Sequence, residues 1–128
     1  MKLNKKLCIG TAQFGIKYGI SNKKGKIKKK ELDKLFFILK KEKIKFLDTS
    51  VDYRNCEKIL NKLNLEKIKV ISKIPKIPKK CSDINKWIEN KVISSLKKIN
   101  KKSFYAILLH HPDDMLSKKA NAIYKSLI

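Results

Sequence analysis

The stretch Phe46-Leu47-Asp48-Thr49-Ser50-Val51-Asp52-Tyr53 decides how this chain is read. Ile44, Phe46 and Leu47 are apolar and Asp48 follows at once, so a short buried strand leaves its layer for solvent at that point. In α/β proteins ligands gather at the C-terminal mouths of strands, which makes Asp48 and the nearby Tyr53 the first candidate functional residues.

Working outward, the flanking segments alternate between strand and helix patterns. Upstream, Leu7-Cys8-Ile9 ends at Gly10-Thr11 and reads as a first strand. Ala12 to Lys28 contains Gly15, Gly19 and Gly25 and reads as a long loop. Its Gly15-x-x-x-Gly19 spacing is not the dinucleotide fingerprint, so a phosphate cradle there is weakly signalled. Lys29 to Lys43 is apolar at Leu32, Leu35, Phe36 and Leu39, which is helical spacing. Downstream, Cys56 to Leu63 is a short helix. A third strand runs from Ile68 to Ser72 and ends at Lys73, before Pro75 and Pro78 stop regular structure. Ser82 or Asp83 caps a helix reaching Asn100, with Ile84, Trp87, Ile88, Val92, Leu96 and Ile99 on one face. Tyr105 to Leu109 is a fourth strand meeting His110-His111-Pro112, and Ser117 to Ile128 begins a fourth helix.

Alternation of this kind demands parallel strands joined by right-handed crossovers. An open doubly wound sheet and a (β/α) barrel both satisfy it. A complete eight-stranded barrel takes on the order of 250 residues, so 128 residues in four βα units correspond to its N-terminal half, with two strand edges left unpaired.

Composition narrows the class further. The length suits one domain with a real core, the hydrophobic fraction is 42%, and no window approaches the roughly 18 apolar residues of a membrane span. Met1 to Lys6 is basic but is followed by no apolar signal-peptide core, so a cytoplasmic location is expected. Cys8, Cys56 and Cys81 are too scattered for a close metal-ligand pair or an even disulfide set, so reduced thiols, two of them packed, and no metal site are expected. Cys56 lies near the candidate site, yet nothing in the sequence would depress its pKa. The net charge of +22 invites a polyanion-binding reading. Against specific nucleic-acid recognition, every basic residue but Arg54 is a lysine, and the lysines are spread through every segment.

Asp48, Tyr53, Lys73 and His110 all fall at or just beyond the ends of strands two to four, which share one face in a parallel arrangement. Each has a plainer use alone: a loop cap, a half-buried aromatic, a solvated lysine, a backbone hydrogen bond beside Pro112. Together they form a chemical set. A lysine cation would stabilise the phenolate of Tyr53 and so make it a better acid, Asp48 would hold that cation, and His110 or His111 would orient a substrate carbonyl. Such a site protonates a carbonyl oxygen while hydride is delivered to its carbon.

In type and order these residues resemble the aldo-keto reductases. Cys8-Ile9-Gly10-Thr11-Ala12-Gln13-Phe14-Gly15 is similar to the family's opening segment, and Tyr18-Gly19-Ile20-Ser21-Asn22 continues it. Leu47-Asp48-Thr49-Ser50-x-x-Tyr53-x-x-x-Glu57 resembles its Asp-Thr-Ala-x-x-Tyr-Gly-x-Ser-Glu pattern, Ile71-Ser72-Lys73 its Thr-Lys strand end, and Leu108 to Asp113 its Leu-His-x-Pro segment. The resemblance implies a (β/α)8 barrel that reduces an aldehyde, ketone or sugar carbonyl with NADPH. It implies Tyr53 as general acid, Lys73 and Asp48 as its tuners, and His110, two before Pro112, as the carbonyl-orienting residue. Gly10 and Thr11 would line the cofactor side. Arg54 stands where the pattern has glycine and Cys56 where it has serine, so a different turn after Tyr53 is expected. The expected organisation is a single incomplete barrel domain over residues 1–128, a fragment cut within its fourth helix, with a complementary half-barrel as partner. The alternatives are a non-catalytic half-barrel that self-associates and a lysine-rich polyanion-binding module.

Overall fold

A computed structural model describes residues 7–128, so the basic segment Met1 to Lys6 lies outside the described residues. Four strands, β1 (Cys8–Gly10), β2 (Phe46–Asp48), β3 (Lys69–Ile74) and β4 (Ala106–Leu109), lie side by side in chain order, each neighbouring pair parallel. The connections run through α1 (Ala12–Gly15), α2 (Lys29–Lys41), α3 (Cys56–Asn61) and α4 (Ile84–Ile99), and α5 (Ala120–Leu127) follows β4. A doubly wound sheet reverses its strand order at a switch point. This order never reverses, so the chain winds in one direction as four βα units, half of a (β/α)8 barrel.

Alternation along the strands divides the two faces of the sheet. Leu47, Val70 and Ile74 are buried on the helical side. The first two pack with Leu39, Leu60 and Ile99, and Ile74 packs with Ile84, Ile88 and Ile123. Phe46, Asp48, Ile71, Lys73 and Leu108 alternate with them and are partly or fully exposed. In a closed barrel that second face is the interior.

Several boundaries differ from the sequence expectation. β3 starts at Lys69 and continues one residue past Lys73 to Ile74, so Lys73 lies within the strand and not at its end. Ala12–Gly15 forms a single helical turn where a loop was expected, because Phe14 buries its ring 6.4 Å from that of Phe36. The rest of the Gly-rich stretch is organised by Asn22. Its amide donates to the carbonyl oxygens of Tyr18 and Gly25, both at 2.8 Å, and its oxygen accepts from the N–H groups of Lys24 and Gly25. Those N–H groups are committed to Asn22 and do not form a phosphate cradle. After β4 a 3-10 turn (Pro112–Leu116) delays the last helix to Ala120, and Asp114 pins the turn by accepting from the Ile77 N–H at 3.1 Å. All three cysteines are free, but only Cys56 is buried; Cys8 is exposed and Cys81 half-buried. Among the described residues no helix is long and apolar enough to cross a membrane, and no cluster of three His, Cys, Asp or Glu could hold a metal ion.

One charge is buried in the packing of α3 on α4. Glu57, 1% exposed, accepts a hydrogen bond from Ser95, while its Oε2 makes none and stands 3.7 Å from Lys98 Nζ. Burial holds its carboxyl above the ordinary value of 4.5, against the opposing pull of Ser95 and Lys98. An acid with a raised folded-state pKa binds its proton more tightly folded than unfolded. Its stabilising contribution is therefore complete at low pH and is lost as pH rises through the raised value. Glu57→Gln keeps the Ser95 contact and removes the charge. It is expected to be more stable than the parent at neutral pH, with the difference closing below pH 4.5. Denaturant midpoints at the two pH values check this, and a less stable variant at neutral pH would contradict it.

Candidate active site

The mouth of the sheet is tied together beneath the candidate side chains. The Thr11 N–H and its hydroxyl both donate to the carbonyl oxygen of Asp48, at 2.9 and 3.0 Å. The Thr49 N–H donates to Ile71 O and the His110 N–H to Ile74 O, both at 2.9 Å, which extends the sheet ladder past each strand end. Beneath this rim the buried Cys56 thiol lies 3.1 Å from Thr11 Oγ1, 3.3 Å from Thr11 O and 3.4 Å from Thr49 Oγ1. Burial raises the Cys56 pKa more than these hydrogen bonds lower it, which marks a packed thiol and not a reactive one.

On that rim Asp48 sits in register with Gly10 and Ile71. Lys73, two residues beyond Ile71 on the same face, donates to both carboxylate oxygens of Asp48, with Thr49 O at 3.5 Å. The ammonium also stands 5.8 Å from the centre of the Tyr53 ring. His110 meets that ring edge to face at 5.7 Å, with Tyr18 at 6.1 Å. Asp48, Tyr53, Lys73 and His110 are thus within one constellation, while His111 stacks beside His110 at 5.4 Å. Of the Gly10 and Thr11 pair, Gly10 borders the open face: a Cβ there would meet nothing within 4 Å. Thr11 is fully buried, its hydroxyl turned onto Asp48, so it holds the rim without facing the site.

Tyr53 does not behave as the sequence suggests. Its pKa is raised above 10.0, by burial first and then by Asp48, instead of being lowered by Lys73. The reason is that Asp48 occupies the ammonium, and the cation lies over the ring without a hydrogen bond to the hydroxyl among the described residues. Tyr53 therefore keeps its proton at neutral pH.

The loop carrying Tyr53 is tightly fitted. Gly15 abuts it so closely that a Cβ would fall 1.8 Å from Tyr53 O, and the Cys56 N–H donates to that same oxygen at 3.0 Å. Arg54 has φ of 48°, the left-handed region in which glycine is at home, so the turn after Tyr53 is one that suits the missing glycine. Two residues that the sequence reading passed over also enter the site. Ser50 Oγ and Asp52 Oδ2 lie 2.9 and 3.0 Å from His110 Nδ1. Their closeness to Tyr53 in sequence was a signal, but a partner 60 positions away is invisible to spacing. A cleft of about 820 Å³, lined by Lys67, Phe104 and Tyr105 among others, lies at the opposite end of the strands and takes no part in this arrangement.

No family model and no curated protein matches the chain. Among solved structures it is similar to PA4992, a candidate aldo-keto reductase from Pseudomonas aeruginosa. The TM-score is 0.71 at 20% identity, covering 94% of this chain and 48% of that one. A second candidate aldo-keto reductase structure from the same organism gives 0.65 at 18% identity, covering 94% and 51%. The chain spans about half the length of these structures, and the likeness is one of fold: the N-terminal half of a (β/α)8 barrel.

Two outcomes follow from the geometry. Arg54→Gly relieves a left-handed residue at the cost of a freer unfolded chain, and is expected to stabilise the protein by about 0.5–1 kcal/mol in denaturant unfolding; a loss of stability would contradict the strain. Asp48→Asn removes a charge that raises Tyr53 and frees Lys73 to act on it. The Tyr53 midpoint should fall in a phenolate absorbance titration corrected with Tyr53→Phe, and an unchanged or higher midpoint would show that Asp48 does not act on it.

Proposed function

We propose that this chain carries the proton-donating half of an NADPH-dependent aldo-keto reductase, acting on an aldehyde, ketone or sugar carbonyl. The observation that carries the proposal is the Lys73–Asp48 ion pair at the sheet mouth, with Tyr53 over the cation and His110 against the same ring. In this reading Tyr53 is the general acid, Lys73 and Asp48 set the charge around it, and His110 orients the carbonyl oxygen.

The demand on Tyr53 is modest in one respect. Reduction at carbon leaves an alkoxide, a far stronger base than a phenolate, so even a phenol of raised pKa gives up its proton downhill once that charge develops. The phenolate left behind is then in a partly buried place, where the nearby Lys73 cation supplies the stabilisation that water cannot.

NADPH supplies the hydride when bound. The residues fit its reacting end: Gly10 is in register with Asp48 on the open face, and the space a side chain would fill there is clear for a flat ring. The remaining nucleotide contacts and the cover of the exposed concave face are assigned to further strands, paired to the outer edges of β1 and β4. A complementary half-barrel, from more of the same chain or from a second subunit, is the partner that this geometry calls for.

The test is loss of reduced-nicotinamide absorbance with simple aldehydes, using the protein with its complementary half. Tyr53→Phe is expected to lower kcat by at least about 100-fold. An unchanged rate would remove Tyr53 as the acid, and no turnover by the assembled parent would remove the reductase reading.

A further inference from the structure

The His110 ring has two partners at one nitrogen and none at the other. Asp52 Oδ2 lies 3.0 Å from Nδ1 and Ser50 Oγ 2.9 Å from it, while Nε2 makes no hydrogen bond among the described residues. Ser50 Oγ also accepts the Asp52 N–H at 3.2 Å, and the Tyr53 N–H donates to Ser50 O at 3.2 Å, so both partners belong to the turn that presents Tyr53.

The chemistry of these partners fixes the proton. An ionised carboxylate can only accept, so a bare Nδ1 would set its lone pair against that of Asp52 at hydrogen-bonding distance. A proton on Nδ1 removes the conflict and serves Asp52 and Ser50 together. Were Ser50 the only partner, its hydroxyl could donate to a bare Nδ1 and leave the proton on Nε2. Asp52 decides between the two tautomers.

We propose that Asp52 is a positioning residue for His110: it holds the imidazole proton on Nδ1. The neutral ring then offers Nε2 as an acceptor, and His110 donates to a substrate carbonyl only as an imidazolium. The role in substrate binding rests on the reductase reading above; the tautomer does not. With the ring neutral, the groups Nε2 can hold are hydroxyls: the product alcohol, or a hydroxyl next to the carbonyl of a hydroxy-aldehyde or hydroxy-ketone. The titratable groups around the ring are Asp52, Tyr53 and His111, with the Lys73–Asp48 pair beyond Tyr53.

The chain has two histidines, so long-range proton–nitrogen spectra of the imidazoles are simple to assign, with His111→Gln identifying the second. At about pH 9, where an imidazole is neutral, His110 is expected to carry its proton on Nδ1. In Asp52→Asn the amide can donate to Nδ1, and the proton is expected to move to Nε2. A parent with the proton on Nε2, or a variant with the parent's tautomer, overturns the proposal. In the reductase assay, KM for a simple aldehyde should rise about tenfold or more between about pH 6 and pH 9 in the parent, with kcat less affected, and stay flat in Asp52→Asn. Equal pH profiles would overturn the role in binding. Absence of turnover together with an Nδ1 proton would sink the reductase reading while leaving the tautomer established.

Discussion

Two hydrogen bonds from Thr11 onto the carbonyl oxygen of Asp48 close the sheet at its mouth, and the rest of the site depends on them. They lock the end of β1 to the end of β2, and Cys56 extends the same node to Thr49 and to the start of α3. The Tyr53 loop is therefore held at both ends by buried polar contacts, and from one side by the bare backbone of Gly15. A site that must set an ammonium, a phenol and an imidazole against one another needs this rigidity, since an unsupported loop would scatter them. Here the scaffold of the site is a hydrogen-bonded rim and not an apolar pocket.

The two faces of the sheet have opposite fates. The helical side buries Leu47, Val70 and Ile74, while the other side leaves Leu108 and the charged pair Lys73–Asp48 open. An ion pair that is partly exposed contributes little to stability, so the fold does not depend on the Lys73–Asp48 pair. A cover for that face would raise the strength of every charge interaction at the mouth by excluding water.

The alternation of apolar strands with amphipathic helices was legible because each strand ends at a polar residue and each helix shows its period; that was enough for parallel order and for a half-barrel. The strand ends also placed Asp48 and Lys73 on a common face. What could not be read was tertiary in origin. The helical turn at Ala12–Gly15 exists because Phe14 finds Phe36, and Arg54 is left-handed in a loop that Gly15 abuts and the Cys56 N–H ties back to Tyr53 O. Thr11 lies in the quoted motif but turns inward, and Asp52 looked like one more loop carboxylate until His110 was placed beside it. The direction of the Tyr53 shift differs from the sequence expectation for a related reason: sequence reveals that a cation is near, but not that its charge is already taken by Asp48.

The central claim is that Tyr53 and His110 act on one carbonyl oxygen at the mouth held by Asp48 and Lys73. A crystal structure of the assembled protein at about pH 6, with NADPH and an unreactive carbonyl analogue, tests it directly, since His110 donates to a carbonyl oxygen only as an imidazolium. The account predicts the analogue's oxygen within about 2.6–3.2 Å of both the Tyr53 hydroxyl and a His110 ring nitrogen. An analogue bound elsewhere, or with its oxygen on neither group, would contradict it.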